Sequence, residues 1–209
     1  MDTNSKNIIL QRIKSGLNKA RFKRDFQETE NKDLIFNNLD KPLIEIFKEE
    51  LTKINGEYFY FTDEEELIKH LSDSADEFAP IYCSDNNLLK YIERAGIEYY
   101  TNFNDKEIKT GISSCEYLIA RFGSVMVSSA IPGARKVFSY PHTHIVIADE
   151  NQLVAELEDA LDGIKQKYTS ELPSQIINIT GPSRTADIEK TLILGAHGPK
   201  RFMVFVLKT

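Results

Sequence analysis

The sequence predicts an α/β protein: a three-layer, mainly parallel sheet with helices on both faces, preceded by an N-terminal helical arm. The first observation is alternation. From about residue 42 onward, short β-rich apolar runs take turns with stretches of helical period, the pattern of a parallel sheet wrapped by crossover helices. The second is punctuation: helix-start residues and glycines stand in the gaps, at Thr62, Ser84 and Gly96. The third is size, since 209 residues suffice for one well-cored domain with a helical appendage.

The elements follow in order. Ser5 can cap a helix reaching about Phe22, with Ile9, Ile13 and Leu17 on one face. A charged stretch rich in Asp, Glu, Asn and Lys follows from Lys23 to about Lys41, so residues 1–41 read as a helix and a charged arm and residues 42–209 as one α/β domain. Pro42 opens a helix carrying Leu43, Ile46, Phe47 and Leu51, which ends near Asn55-Gly56. Tyr58-Phe59-Tyr60-Phe61 reads as a buried strand. Thr62 with Glu65 forms a capping box for the helix of Leu67, Ile68 and Leu71. Pro80 to Cys83 is the next strand, Ser84 caps a helix closed by Gly96, and Ile97 to Tyr100 is a third strand.

Further on, Cys115–Ala120 and Ser124–Val127 flank Arg121-Phe122-Gly123 as a hairpin or bulged turn. Val137-Phe138-Ser139 and His144–Ala148 read as strands. Leu153, Leu157, Leu161 and Ile164 predict one long helix from about Asn151 to Lys167. Ser174–Thr180 is a β-rich segment that breaks at Gly181-Pro182, a short helix is expected through Asp187, and Phe202–Leu207 closes the fold.

Composition bounds the function. Twenty-six Lys and Arg against 32 Asp and Glu give a formal net charge of −6, which argues against nucleic-acid binding through a basic face. Cys83 and Cys115 are the only cysteines and neither belongs to a C-x-x-C pair, so the chain cannot hold an iron–sulfur cluster on its own cysteines. No stretch approaches the roughly 20 apolar residues of a membrane span, and the N-terminus lacks a signal-peptide pattern, so the expected location is the cytoplasm.

The most informative segment is Gly181-Pro182-Ser183-Arg184-Thr185-Ala186-Asp187-Ile188-Glu189, followed by Gly195-Ala196-His197-Gly198-Pro199. A strand that stops at Gly-Pro and restarts as a helix presents free N–H groups to an anion. Arg184 would add a forked cation, and Ser183 and Thr185 would add hydroxyls. The same residues also make ordinary turns and helix caps, with Asp187 and Glu189 placed to stabilise a helix start or to orient Arg184.

These residues resemble the signature of the lactate-utilization LutC/YkgG family, the LUD domain. The resemblance extends from about Gly111 to Leu207, with supporting matches at Gly111-Ile112, Ala120–Ser124 and Pro141–Ile145. It implies a fold akin to the sugar-isomerase and CoA-transferase superfamily. It also implies a role in oxidising L-lactate to pyruvate as one of three proteins, with the iron–sulfur clusters on the partner subunits and no cofactor held by this chain alone. One departure stands out: Arg121-Phe122 replaces an acidic residue and a threonine usual in the family's hairpin, which reverses a charge there.

The ligand-binding set is thus Gly181, Pro182, Ser183, Arg184, Thr185, Ala186, Asp187, Glu189, Gly195, His197 and Gly198, with Gly123 and Ser124 of the hairpin. His197, in a glycine-flanked loop, is the candidate general base for a 2-hydroxy acid, or else a histidine that shapes the loop through a backbone carbonyl. No metal is assigned; His142 and His144, two apart and so on one face of a strand, are the fallback candidates. No G-x-G-x-x-G follows a strand, so dinucleotide chemistry is not expected. The expectation is an accessory subunit that binds an anionic small molecule. The alternatives are a stand-alone isomerase or transferase for a phosphorylated or CoA-linked metabolite, and a non-catalytic interaction module.

Overall fold

The computed structural model describes residues 3–17, 39–103, 108–186, 192–194 and 198–208. Residues 1–38 and 39–209 form two compact units. In the first, α1 spans Thr3–Leu17, with Ile8, Ile9, Leu10 and Ile13 exposed. The charged arm expected after it lies outside the described residues up to residue 38.

The second unit contains α2 (Leu43–Lys53), β1 (Glu57–Phe61), α3 (Glu64–Asp73), α4 (Ala75–Phe78), β2 (Ile81–Tyr82), α5 (Asn86–Arg94), β3 (Tyr99–Tyr100) and β4 (Thr110–Ser113). It continues through β5 (Tyr117–Ile119), β6 (Ser124–Ser128), α6 (Ala134–Val137), β7 (Thr143–Asp149), β8 (Leu153–Val154) and α7 (Leu157–Lys167). The last elements are β9 (Ile176–Ile179), β10 (Arg184–Ala186), β11 (Leu192–Leu194) and β12 (Arg201–Leu207).

Six of these strands make an all-parallel sheet in the order β1-β12-β7-β4-β2-β3. Its central strands are buried on both faces because each face has its own apolar layer. Phe61, Ile145, Ile147, Met203, Phe205 and Leu207 pack under α3, α4 and α5. Val146, Ala148, Phe202, Val204 and Val206 point the other way, against Ile46, Phe47 and Leu51 of α2. That second face is shared with a smaller sheet, β8-β5-β6-β9, which contributes Leu118, Val125 and Val127 to the same core. The outer side of the smaller sheet is closed by Ala160 and Ile164 of α7. The predicted parallel sheet with helices on both faces is present, with a second sheet beside α2.

Several local expectations are corrected by tertiary contacts. β1 is an edge strand and half-buried, not buried throughout, with Tyr60 exposed. The α3 cap shifts by one residue: Asp63 accepts from the Glu66 amide, and the Glu66 carboxylate receives the Thr62 amide and hydroxyl. Asp85, not Ser84, caps α5. Val137 belongs to a short helix, where it packs with Tyr82 and Ile108 rather than joining a sheet. Leu153 pairs with Leu118 in β8, so the helix expected from Asn151 starts only at Leu157. The segment after Gly181 is an extended strand, β10, paired antiparallel with β11, so the expected short helix does not form over Arg184–Ala186.

Candidate functional site

The two halves of the signature meet at the entry to β12. The Ser183 amide donates to the Pro199 carbonyl at 2.8 Å, which ties the Gly-Pro-Ser bend to the Gly-Pro that precedes the strand. Gly181 has φ +83, a conformation that glycine adopts without strain. Its open side faces the α2 C-terminus, where a Cβ would sit 2.5 Å from the Ile54 carbonyl oxygen. Because the backbone is extended here, successive side chains diverge. Ser183 lines a half-open cavity, whereas Arg184 is exposed and its Nη2 donates to the Ile54 carbonyl at 2.9 Å. That carbonyl stands at the negative end of the α2 dipole, a favourable seat for a guanidinium.

The cavity has a volume of about 250 Å³ and is lined by Gly181, Ser183, Gly198 and Pro199 on one side and by Phe138, Ser139, Ile177 and Ile179 on the other. His144 and Phe202, each the second residue of its strand, form the floor. His144 is 1% exposed and lies 5.5 Å, centroid to centroid, from both Phe138 and Phe202. Its Nε2 is 2.9 Å from Ser113 Oγ. Burial pushes the imidazole pKa down to about 3, so His144 is neutral, and with Nε2 paired to Ser113 only its other ring nitrogen is left for a further hydrogen bond. The site can hydrogen-bond a hydroxyl or carbonyl group against apolar walls; the charge of an anion would not be met by His144.

The predicted residues separate into groups. Gly181, Ser183 and Gly198 line the cavity, Pro182 is buried beside it, and Arg184 bonds away from it. Thr185 and Ala186 lie in β10, whereas Asp187, Glu189, Gly195 and His197 lie outside the described residues. Gly123 and Ser124 belong to a different place. Gly123 has φ +56 and a Cβ there would come within 2.1 Å of the Leu51 amide nitrogen, so this hairpin lies directly on the α2 backbone. Arg121 is spoken for by a bidentate pair with Glu156 at the start of α7, with Nε 2.7 Å from each carboxylate oxygen. The charge reversal in the hairpin is thus answered by a local acid. His142 is exposed while His144 is buried, and among the described residues no three His, Cys, Asp or Glu side chains cluster to hold a metal.

A second cavity, of about 520 Å³, lies outside the carboxyl ends of β2, β4 and β7. Its wall holds Asp85, which accepts from Ser114 Oγ at 2.7 Å and from the Asn87 amide at 3.0 Å, together with Asp149 and Gln152. No single motif announced this crevice, because its walls come from four separate stretches of chain. The sequence signal for it was Asp85 beside Ser84 at the strand-to-helix turn.

Residues 104–207 match the family model of the LUD domain. Lactate utilization protein C of Bacillus subtilis is 36% identical over 96 residues, covering 45% of this chain and 40% of that protein. An uncharacterised protein of Neisseria meningitidis is 33% identical over 110 residues, 53% of this chain and 45% of its own length. The chain thus spans less than half the length of these two relatives. Lactate utilization protein C of Halalkalibacterium halodurans aligns over 97% of this chain and 95% of its own length at 24% identity. Among solved structures, a DUF162 family protein from Deinococcus radiodurans shares the fold, with a TM-score of 0.60 over 79% of this chain and 96% of that one, at 15% identity. Among the described residues, no helix is long and apolar enough to cross a membrane.

Proposed function

We propose, for a chain that belongs to the LUD-domain family of lactate utilization proteins, that it is the small-molecule-binding member of a lactate-oxidising system whose iron–sulfur clusters sit on partner proteins. One observation carries the reading: the Gly181–Ser183 and Gly198-Pro199 segments close over a buried, neutral histidine and leave a cavity of about 250 Å³ between them. A cavity of that size admits the hydroxyl or keto end of a compact organic acid, whose carboxylate would have to reach outward, because no Lys or Arg lines it. Ser183 Oγ and the His144 imidazole supply hydrogen bonds to a 2-hydroxy or 2-keto group, and Phe138, Phe202 and Ile177 give it apolar walls.

The cysteines support placing the redox centres elsewhere. Cys83 is buried in the core under α3 and α5, where burial pushes its thiol up to about 12. Cys115 is buried in the core on the opposite face of the sheet, and burial raises its thiol also. Two protonated thiols on opposite faces cannot ligate one cluster. His197 stays a candidate for the general base or for a histidine that shapes its loop through a backbone carbonyl, and Arg184 serves as the tether of the Gly181–Ser183 bend to α2.

The test is a thermal-shift series of the purified chain with lactate, pyruvate and their two- to four-carbon analogues. A ligand bound at a hundred times its Kd stabilises the fold by about 2.7 kcal/mol. The shift is expected to vanish in Ser183→Ala and His144→Gln and to persist in Arg184→Gln, which loosens the loop without touching the cavity. A shift that survives both of the first two substitutions would exclude this cavity as the site.

A second reading rests on the carboxyl-end crevice at Asp85. Open parallel sheets commonly bind ligands outside the carboxyl ends of their strands, and Asp85 is held there by two hydrogen bonds. On that reading the chain is an isomerase or transferase acting alone, and turnover by the isolated chain, lost in Asp85→Asn, would favour it over the accessory role.

A further inference from the structure

A trough leads away from the His144 cavity along β9. Its middle is walled by Arg135, Phe138 and Ser139 on one side and by Ser174, Gln175 and Ile177 on the other. It adjoins a cleft of about 510 Å³, with which it shares Arg135 and Ser174. Two cations and a set of hydroxyls converge on this cleft: Arg135 and Lys136 from α6, Tyr82 and Ser84 from the end of β2, and Ser129 and Ser174 from either side of the β6–β9 pair.

The arrangement is held by the backbone. Gly133, at φ +69, turns the chain onto the sheet just before α6, and a Cβ there would fall 2.3 Å from Ser84 Oγ and 2.6 Å from Tyr82 Oη. The close approach that only glycine allows brings the cations over the hydroxyls. Ser84 Oγ donates to Tyr82 Oη at 2.7 Å, Arg135 Nη2 donates to Ser174 Oγ at 2.8 Å, and Ser129 and Ser174 hydroxyls lie 3.1 Å apart. Lys136 Nζ stands 5.8 Å from the centre of the Phe103 ring.

Charge makes the cleft distinctive. The chain carries a formal net charge of −6, and three of its arginines are answered by carboxylates, Arg94 by Glu65, Arg121 by Glu156 and Arg201 by Glu57 and Glu77, while Arg184 donates to the Ile54 carbonyl. Among the described residues neither Arg135 nor Lys136 has a carboxylate partner, and no Asp or Glu lines the cleft. Arg135 and Lys136 are both exposed, so their charged ends can reach an anion held in the cleft. A planar fork, a point-charge ammonium and several hydroxyls match a tetrahedral dianion with three acceptor oxygens, more than a single carboxylate can use.

We propose that the cleft at Arg135 and Lys136 binds the phosphate group of a small phosphorylated metabolite. This site is separate from the His144 cavity and goes beyond the acid-binding function proposed above. The trough lies between the two, with Phe138 and Ser139 lining both it and the His144 cavity.

Calorimetric titration of the full chain with inorganic phosphate at low ionic strength tests this. Saturable binding is expected, weakened about tenfold in Arg135→Ala, as for loss of one charged hydrogen-bond donor, and abolished in the R135A/K136A variant. Lys69→Ala, which removes an exposed charge on α3, and His144→Gln should bind phosphate as the wild type does. Absence of saturable binding by the wild type, or wild-type binding by the double variant, would overturn the proposal. So would acetate binding as tightly as phosphate, because the site would then be one for carboxylates. Arg135→Gln keeps the side chain's length and replaces the alanine variant if that one melts early.

Discussion

Burial removes the charge of His144, and this ties its place in the cavity to the stability of the protein. Its folded pKa, about 3, lies below that of an exposed histidine. The neutral buried ring therefore contributes stability that is complete above the unfolded pKa of about 6.5 and is lost as pH falls from there toward 3. Between those limits the wild type should lose up to about 1.4 kcal/mol per pH unit more than His144→Gln, read from urea melts at pH 7 and pH 5. Equal pH dependence of the two would show that the ring is solvated. Glu116 behaves in the opposite sense. Burial pushes its carboxyl up, but hydrogen bonds from Lys167, Ser128 and Tyr168 outweigh that and hold it below the ordinary value. Glu116→Ala leaves two hydroxyls short of a partner, and a loss of about 2–3 kcal/mol is expected in chemical denaturation. Neither role was legible in the sequence. His144 was visible as one of a histidine pair, but its aromatic walls come from residues 138 and 202, and nothing local to Glu116 signals Lys167 or Tyr168.

Among the elements, α2 organises both glycine loops. Gly123 lies on its last turns at Glu50 and Leu51, and Gly181 and Arg184 converge on its terminal carbonyl at Ile54. Replacing Gly123 by Ala combines a left-handed φ with a contact to backbone that cannot move aside, so a loss of at least about 3 kcal/mol is expected in equilibrium unfolding. A change under 1 kcal/mol would mean that the hairpin stands off the helix. Asp63→Ala, which removes a cap at the exposed start of α3, should cost about 1 kcal/mol by the same assay. The helices with strong apolar stripes, α2, α3 and α5, were readable from spacing alone because their buried faces are local patterns. The stretch after Gly181 was misread as a helix start because Arg-Thr-Ala has no strand signature of its own. It becomes β10 by pairing with β11, and that pairing is a tertiary fact. Likewise Leu153 continues the period of α7 but is captured by β5.

For the whole molecule, the sheet order predicts where the fold opens first. β12 and β7 lie inside the sheet and are buried along nearly their whole length, whereas β1 and β3 are edges with half-buried residues. Amide exchange should be slowest in Val204–Val206 and Ile145–Ile147 and should approach the rate set by global unfolding there, with β1 and β3 exchanging through local opening. Uniform protection across the six strands would contradict that ordering.

The position of β12 also fixes an order in time. β1 has β12 as its sheet neighbour, with Glu57 beside Met203, and β12 is the final strand of the chain. At ribosomal rates of about 5–20 residues per second, roughly 7–30 s separate the synthesis of the two strands. Throughout that interval Tyr58, Phe59 and Phe61 have no β12 to pair with. The aromatic edge of the nascent chain is therefore the segment on which a chaperone, or another unfinished copy, would act first.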